Sequence, residues 1–477
     1  MTARLATGLA LLMAGCAHPV PPDAAVSLPD PLPPRPFRLP EIHEGRLSNG
    51  LPVIVVEQHE TPMIWVQVSF STGGWADPPG LEGLASVTLD MMDEGAGSLD
   101  AVGLSRSLDR MASTLSARAG LDSAAVTASC LAWNLAPTLD LVALVLRQPT
   151  FAPAEWGLLR SRRLEELKEA DDQPEVIATR VLDRVLYGDA YAGRRAEEAS
   201  YGRMGPADMR AFATAHLHAG NALVEVGGDT TLEAVLPLLE ARLGTWQVLP
   251  PDPDPTPTVH PPTSVTLHVV DRPDAPQSVV RAGRFAGQRT DPDHWAFTLV
   301  NQALGGQFAS RINMNLREDK GWTYGARSST LVSFAPVEWV ASTSVARDVT
   351  ADTVREIVGE VQGLLGDRPL TEDELEFARR SFVGGWPARF EEPGTLLAQV
   401  EEIRRYGLPS TWVEDTLPGI RAVTLASADA AARRRLSADE LVVVVVGDMV
   451  RIRPSLDALG WPVTVHDRRG RAVEGTP

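Results

Sequence analysis

The stretches ALVEVGGDT at 222–230 and LVVVVVGDM at 441–449 share one pattern: a branched apolar run that closes on Gly-Asp ahead of a helical periodicity. An apolar run of that length bounded by a turn signal reads as a buried strand, and the helix after the first copy is expected over Leu232–Leu243. The copies lie about 220 positions apart, and that offset recurs. RQPTFAPAEWGLLRSRRLEELKEA at 147–170 and DRPLTEDELEFARRSFVGGW at 367–386 both place apolar residues at helical spacing after a proline, with Thr371 and Glu374 forming a capping box in the second. The chain therefore reads as an internal duplication.

Working outward, each half opens with strands, Leu51–Glu57 and Ile64–Thr72 in the first, Val265–Val270 and Val279–Phe285 in the second, and continues with long amphipathic helices. This grouping predicts two α+β domains and not a doubly wound sheet. A proline-rich stretch, LPPDPDPTPTVHPP at 249–262, separates a first domain over 41–248 from a second over 263–470. No strand is followed by GxGxxG or a Walker-type loop, and the glycine pairs GLEG at 80–83 and LGGQ at 304–307 read as turns where helices start.

The 477 residues carry 62 Asp+Glu against 44 Lys+Arg, a formal charge of −18. That balance argues against a nucleic-acid partner, because a phosphate backbone would be repelled. Two cysteines, Cys16 and Cys130, are too few for a disulfide scaffold or a cysteine-ligated zinc cluster. Cys130 reads as a small buried residue on a strand.

Residues 1–16, MTARLATGLALLMAGC, have one basic residue, a short apolar run and small residues before Cys16, the layout of an export signal too short to span a bilayer. The LMAGC ending resembles a bacterial lipoprotein signal, which implies lipidation of Cys16 and, with Ala17 following, an outer-membrane anchor facing the periplasm. Residues 18–40 hold nine prolines in 23 positions. The segment 17–40 is expected to be an extended tether reaching roughly 70 Å from the lipid surface.

LSNGLPVIVVEQHETPMIWVQVSFSTGGWADPPGLEGLAS at 47–86 resembles the first domain of insulinase/pitrilysin-type zinc metallopeptidases, the inverzincins. NQALGGQFASRINMNLREDKGWTYGARSS at 301–329 resembles the second-domain motif of the same family more specifically. The resemblance, over roughly 40–470, implies two homologous α/β-sandwich domains like those of mitochondrial processing peptidase, each a mainly antiparallel sheet covered by helices. The family chemistry uses H-x-x-E-H on a helix, two imidazoles one turn apart on Zn²⁺ with a glutamate base, and a later glutamate ligand. Laid on GLASVTLDMMDEG at 83–95, the motif falls on Ser86, Leu89 and Asp90, with Glu166 near the place of the later ligand. All three motif positions are lost, and no histidine occurs between His59 and His216. Glu166 then reads as a solvated helix carboxylate, and His216 and His218 as a pair with no partner carboxylate. No catalytic residue, metal ligand or cofactor is expected in this chain.

The second motif survives. By the resemblance, Arg317 and Tyr324 are the pair that reaches a peptide bound at the other domain's zinc. Ala309–Lys320 reads as a helix stopping at Gly321 and WTYGARSST as a strand, so both side chains could face one cleft. Taken without the resemblance, Arg317 pairing with Glu318 and Tyr324 packing on the sheet would suffice. Retention of one motif and loss of the other implies a non-catalytic, substrate-binding subunit of a heteromeric periplasmic zinc peptidase, whose homologous partner carries H-x-x-E-H and the Zn²⁺. The alternative is an inactive peptidase-like binding or scaffold protein of the envelope. The peptide is expected as a strand added to a sheet edge, and the acidic balance to favour basic or unfolded peptides.

Overall fold

The computed structural model describes residues 41–253, 255, 257, 259–333, 336–390 and 393–473. The export signal 1–16, Cys16 and the tether 17–40 lie outside the described residues.

Strands β1 (Ile42–Arg46), β2 (Pro52–Glu57), β3 (Met63–Phe70), the two-residue pair β4 (Gly95–Ala96) and β5 (Leu99–Asp100), β6 (Thr114–Ala119), β7 (Ala124–Leu131) and β8 (Ala222–Gly228) belong to the first half. The second half holds β9 (Thr266–Asp271), β10 (Gln277–Phe285), β11 (Ala326–Leu331), β12 (Glu338–Ala346), β13 (Val442–Gly447) and β14 (Val463–His466). The two large sheets run β1-β2-β8-β3-β7-β6 and β11-β12-β10-β13-β9-β14. Reversed, the second order matches the first strand for strand, so the duplication read from 222–230 and 441–449 is built into the sheets as β8 and β13. One position breaks the match in direction: β1 pairs antiparallel to β2, whereas β14 pairs parallel to β9 from the far end of the chain. Most pairs are antiparallel, with β2·β8, β9·β13 and β9·β14 parallel.

β8 and β13 are buried along their whole length, β13 as its unbroken apolar run requires and β8 with one buried acid, Glu225, inside an otherwise apolar run. The first sheet packs one face on helices such as Leu84–Asp90, Leu135–Arg147 and Leu232–Leu243, the last as expected. The second packs on His294–Asn301, Thr350–Leu365 and Glu372–Gly385, started by the Thr371 capping box in which the Thr371 N–H donates to Glu374 at 2.9 Å.

The other face of each sheet is covered across the duplication. Helix Pro174–Tyr187 of the first half lays Ile177, Val181 and Leu186 on Val279, Val340 and Val444 of the second sheet. Helix Pro393–Arg405 of the second half lies against β3 and β8, where the Gln67 amide donates to Glu401 at 3.2 Å. The described residues accordingly belong to one compact unit.

Cys130 is fully buried on β7, as expected. Gly80 and Gly83, at φ +87° and +96°, form the expected turn before Leu84, and the Asp77 carboxylate accepts from Gly83 and Ala85 N–H at 2.6 and 2.7 Å. That cap leaves no free N–H cradle there. The other glycine pair departs from expectation: Gly305 and Gly306 end a helix, in a wide turn over Gln302–Gly306. Gly305 is needed for proximity, since a Cβ there would come within 2.4 Å of Ser328 Oγ on β11.

Candidate functional site

Two places hold the residues singled out by sequence. The first is the helix Leu84–Asp90. Leu89 is fully buried in the core, so the position of the family's base has become packing. Ser86 and Asp90 lie one turn apart and face Arg163 on helix Pro153–Ala170. Arg163 donates to the Asp90 carboxylate, to Ser86 Oγ at 3.4 Å and to Glu166 Oε2 at 2.6 Å. One guanidinium thus joins the three positions that match the zinc ligands. Burial disfavours its charge, but the hydrogen bonds to Glu166 and Asp90 outweigh burial and hold its pKa above the ordinary value. Glu166 is correspondingly an ion-paired residue, at 45% side-chain exposure, and not only a solvated one. One hydroxyl, two carboxylates and a fixed cation do not suit Zn²⁺, which needs deprotonated nitrogen or sulfur donors and an uncontested position. Among the described residues no cluster of three or more His, Cys, Asp or Glu is placed to hold a metal. His216 does have a carboxylate partner, Asp252 at 2.7 Å, supplied by the proline-rich stretch and so invisible to local spacing.

The second place is an open cavity of about 640 Å³ beside β10, β11 and β12, lined by both Arg317 and Tyr324. Arg317 stands on the last turn of the helical segment Arg311–Asp319, which is shorter than expected and widens over Met314–Asp319. Gly321, at φ +65°, ends it as expected, its N–H donating to Arg317 O at 3.0 Å. The Arg317 guanidinium pairs with Glu318 at 3.2 Å and lies 4.7 Å from the centre of the Phe308 ring. Phe308 is itself 61% exposed.

Tyr324 is not on a strand, since β11 starts at Ala326. It sits on a loop that neighbouring polar groups fix. Ala326 N–H donates to Asn313 Oδ1 at 3.0 Å, Asn313 Nδ2 donates to Phe308 O at 2.7 Å, and Thr343 Oγ1 donates to Thr323 Oγ1 at 3.0 Å. The ring projects from this support 93% exposed. An anchored backbone with a free phenol is an arrangement for contacting something outside the chain.

Sequence reasoning missed the supporting residues Asn313, Thr323 and Thr343, and also the charge of the cleft. Its described lining carries Arg281, Arg317 and Arg327 against a single acid, Glu175. The chain's acidic balance is therefore not carried onto this wall, contrary to the expectation of a preference for basic peptides. A second cavity, of about 510 Å³, lies against helices Pro153–Ala170 and Pro174–Tyr187, but its charges are tied to one another, as in Arg180–Asp171 and Lys168–Glu165, both at 2.7 Å.

With this geometry in hand, comparison with known proteins is decisive on one point. Residues 53–200 match the family model Insulinase (Peptidase family M16), and residues 203–382 match Peptidase M16 inactive domain. The chain belongs to the insulinase (M16) family. It is 24% identical over 399 residues to an uncharacterized zinc protease of Mycobacterium leprae, covering 82% of this chain and 88% of that one. It is 21% identical over 414 residues to the non-peptidase homolog YmxG of Helicobacter pylori, covering 85% and 94%. Among solved structures, a peptidase M16 inactive domain from Pseudomonas fluorescens superposes with TM-score 0.77 at 23% identity, over 85% of this chain and 98% of the other. A protease from H. pylori superposes with TM-score 0.78 at 18% identity, over 86% and 100%. The two-domain M16 fold is thereby shown, in a member that lacks H-x-x-E-H.

Proposed function

We propose that this M16 chain is the non-catalytic, substrate-binding subunit of a heteromeric zinc peptidase of the bacterial envelope. A homologous partner bearing H-x-x-E-H supplies the Zn²⁺ and the base. The observation that carries this reading is the contrast between the two places: Arg163 ties together Ser86, Asp90 and Glu166, while Arg317 and Tyr324 line an open cleft and the tyrosine is exposed.

The cleft's chemistry suits a peptide carbonyl. A guanidinium and a phenol both donate hydrogen bonds, so each can stabilise negative charge developing on a carbonyl oxygen. Phe308 offers a flat surface beside Arg317. A peptide would run as an added strand along a sheet edge, held by backbone hydrogen bonds that are indifferent to side-chain identity. In this reading the assembly is anchored at the outer membrane and faces the periplasm, which the lipoprotein-like sequence ending at Cys16 supports. A solved neighbour of the same fold is a periplasmic protease, PqqL of Escherichia coli, at TM-score 0.73. No helix among the described residues is long and apolar enough to cross a membrane.

The test is co-purification with a homologue bearing H-x-x-E-H, followed by peptide cleavage with and without a chelator. The pair should cleave, the chelator should abolish cleavage, and Arg317→Ala or Tyr324→Phe should lower it with the complex intact. A complex that forms but shows no peptidase activity would point instead to a scaffold role.

A further inference from the structure

Arg281 on β10 faces Ser342 on β12, and Ser342 faces Arg327 on β11. Residues in one cross-strand row point to the same side of a sheet, so the two guanidiniums stand on one face with a serine between them. That face is the one covered by helix Pro174–Tyr187, because Val279, two positions before Arg281, packs on that helix. Both arginines line the cavity that also holds Arg317 and Tyr324.

Two like charges in one row repel, and although Asp183 and Glu338 act on Arg281 through space, neither forms an ion pair with it. Among the described residues neither Arg281 nor Arg327 has a hydrogen-bond or ion-pair partner, and Arg281 Nε is buried without an acceptor. The acids nearest to them are committed elsewhere. Asp183 is paired with Arg195, and Glu338 accepts from Tyr187 and is pushed up to about 7, first by burial and then by Asp183. Glu175, across the cavity, accepts from Ser344 at 3.4 Å. A buried donor without an acceptor is costly, and one beside a second cation in an open cleft is satisfied best by an incoming anion. In the equivalent row of the first sheet, β6 and β7 carry Ser116 and Thr127, whose hydroxyls bond to each other at 2.9 Å. The charged row is thus a property of the second half alone.

We propose that Arg281 and Arg327 form a carboxylate-binding subsite. The preferred ligands are peptides that present a carboxylate, from an acidic side chain or from the C-terminus, next to the segment held by Arg317 and Tyr324. This rests on the reading of the cleft as a peptide site. A guanidinium fork matches a carboxylate in charge and geometry, and a charge partner for two cations that have no ion pair among the described residues is what gives the preference.

The experiment is fluorescence anisotropy on the whole purified chain with three labelled versions of one extended peptide: one with an internal Glu and a free C-terminus, one with that Glu replaced by Gln, and one with the C-terminus amidated. At low salt the version that keeps the recognised carboxylate should bind about tenfold tighter than the version that loses it, and the version that loses affinity identifies which carboxylate is read. Arg327→Glu should reverse the preference towards a Lys-containing peptide, and Arg281→Gln should abolish it. Arg327 is exposed, so its variant is decisive even if the Arg281 variant melts early. Equal binding of all three peptides, or a preference untouched by Arg327→Glu, overturns the subsite and leaves the peptide cleft standing. Failure of all three peptides to bind overturns both.

Discussion

The Arg163 guanidinium is hydrogen-bonded to the Asp90 carboxylate, at the position that the family resemblance matches to a second zinc-binding histidine. Both side chains are mostly buried, at 24% and 19% exposure, so neither charge is well solvated without the other. Removing one partner of such a pair leaves a partly desolvated charge. Arg163→Met should therefore lower stability by about 1–3 kcal/mol, read as a drop in Tm, and Asp90→Asn added to it should cost little more. The same cation opposes a metal: Ser86→His with Asp90→His should bind little zinc while Arg163 is present, and more once Arg163→Leu is added. Equal zinc content in the two backgrounds, by atomic absorption, would show that Arg163 does not guard the position.

Tyr324 separates binding from folding. The residue is 93% exposed and its loop is held by Asn313, Thr323 and Thr343, so Tyr324→Phe should change stability by no more than about 0.5 kcal/mol, read as a nearly unchanged Tm. Loss of one donor to a developing oxyanion costs about 10²-fold in turnover, so the reconstituted pair should slow by that order. A matching fall in Tm would assign the phenol to structure instead.

Much of this was legible beforehand, and the gaps have physical causes. β13 announces itself because a fully buried strand is apolar throughout, and β8 does so although Glu225 interrupts its apolar run, a buried acid that accepts from the Gln67 amide at 2.9 Å. Gly321 is readable because a helix stop calls for it, whereas Arg317 and Tyr324 were singled out by the family resemblance, and the strand expected at Tyr324 begins only at Ala326. Arg163 was not, since SRRLEELKE looks like a solvated helix face laced with i,i+4 ion pairs, and only the tertiary approach of Leu84–Asp90 gives that arginine its role. The exchange of helices Pro174–Tyr187 and Pro393–Arg405 between sheets was equally hidden. An amphipathic face specifies that it must be covered, not by which sheet.

Glu338 makes stability depend on pH. Burial, reinforced by Asp183, pushes it up to about 7 from an ordinary value of 4.5. Between those values the native state holds a proton that the unfolded chain has released, so this group's contribution to stability falls as pH rises through the window. Glu338→Gln removes the titration and keeps an acceptor for Tyr187. Relative to the parent, the variant should gain roughly 2–3 kcal/mol between pH 5 and pH 8, seen as a Tm difference that grows with pH. A difference independent of pH would show that Glu338 does not titrate in that range.

Gly305 tests how the cleft is held open. The wide turn over Gln302–Gly306 passes so close to β11 that a Cβ at Gly305 would meet Ser328 Oγ, N and Cβ at 2.4, 2.5 and 2.7 Å. Ser328 cannot step aside freely, because its hydroxyl donates to Asn301 Oδ1 at 2.7 Å and that same oxygen accepts from Trp339 Nε1 at 3.0 Å. Gly305→Ala must therefore push the turn away from β11, at a cost of about 1–3 kcal/mol for overpacking. Phe308 and Arg317 follow this turn along the chain, and Tyr324 precedes β11, so the shift moves the two sides of the cleft relative to each other. Peptide affinity should fall together with Tm in Gly305→Ala, whereas in Tyr324→Phe only activity should fall. Asn301→Ala removes the anchor of Ser328 and should restore part of the affinity when combined with Gly305→Ala, by letting Ser328 yield to the new methyl group. If the double variant binds peptide no better than Gly305→Ala alone, the contact between the turn and β11 does not set the width of the cleft.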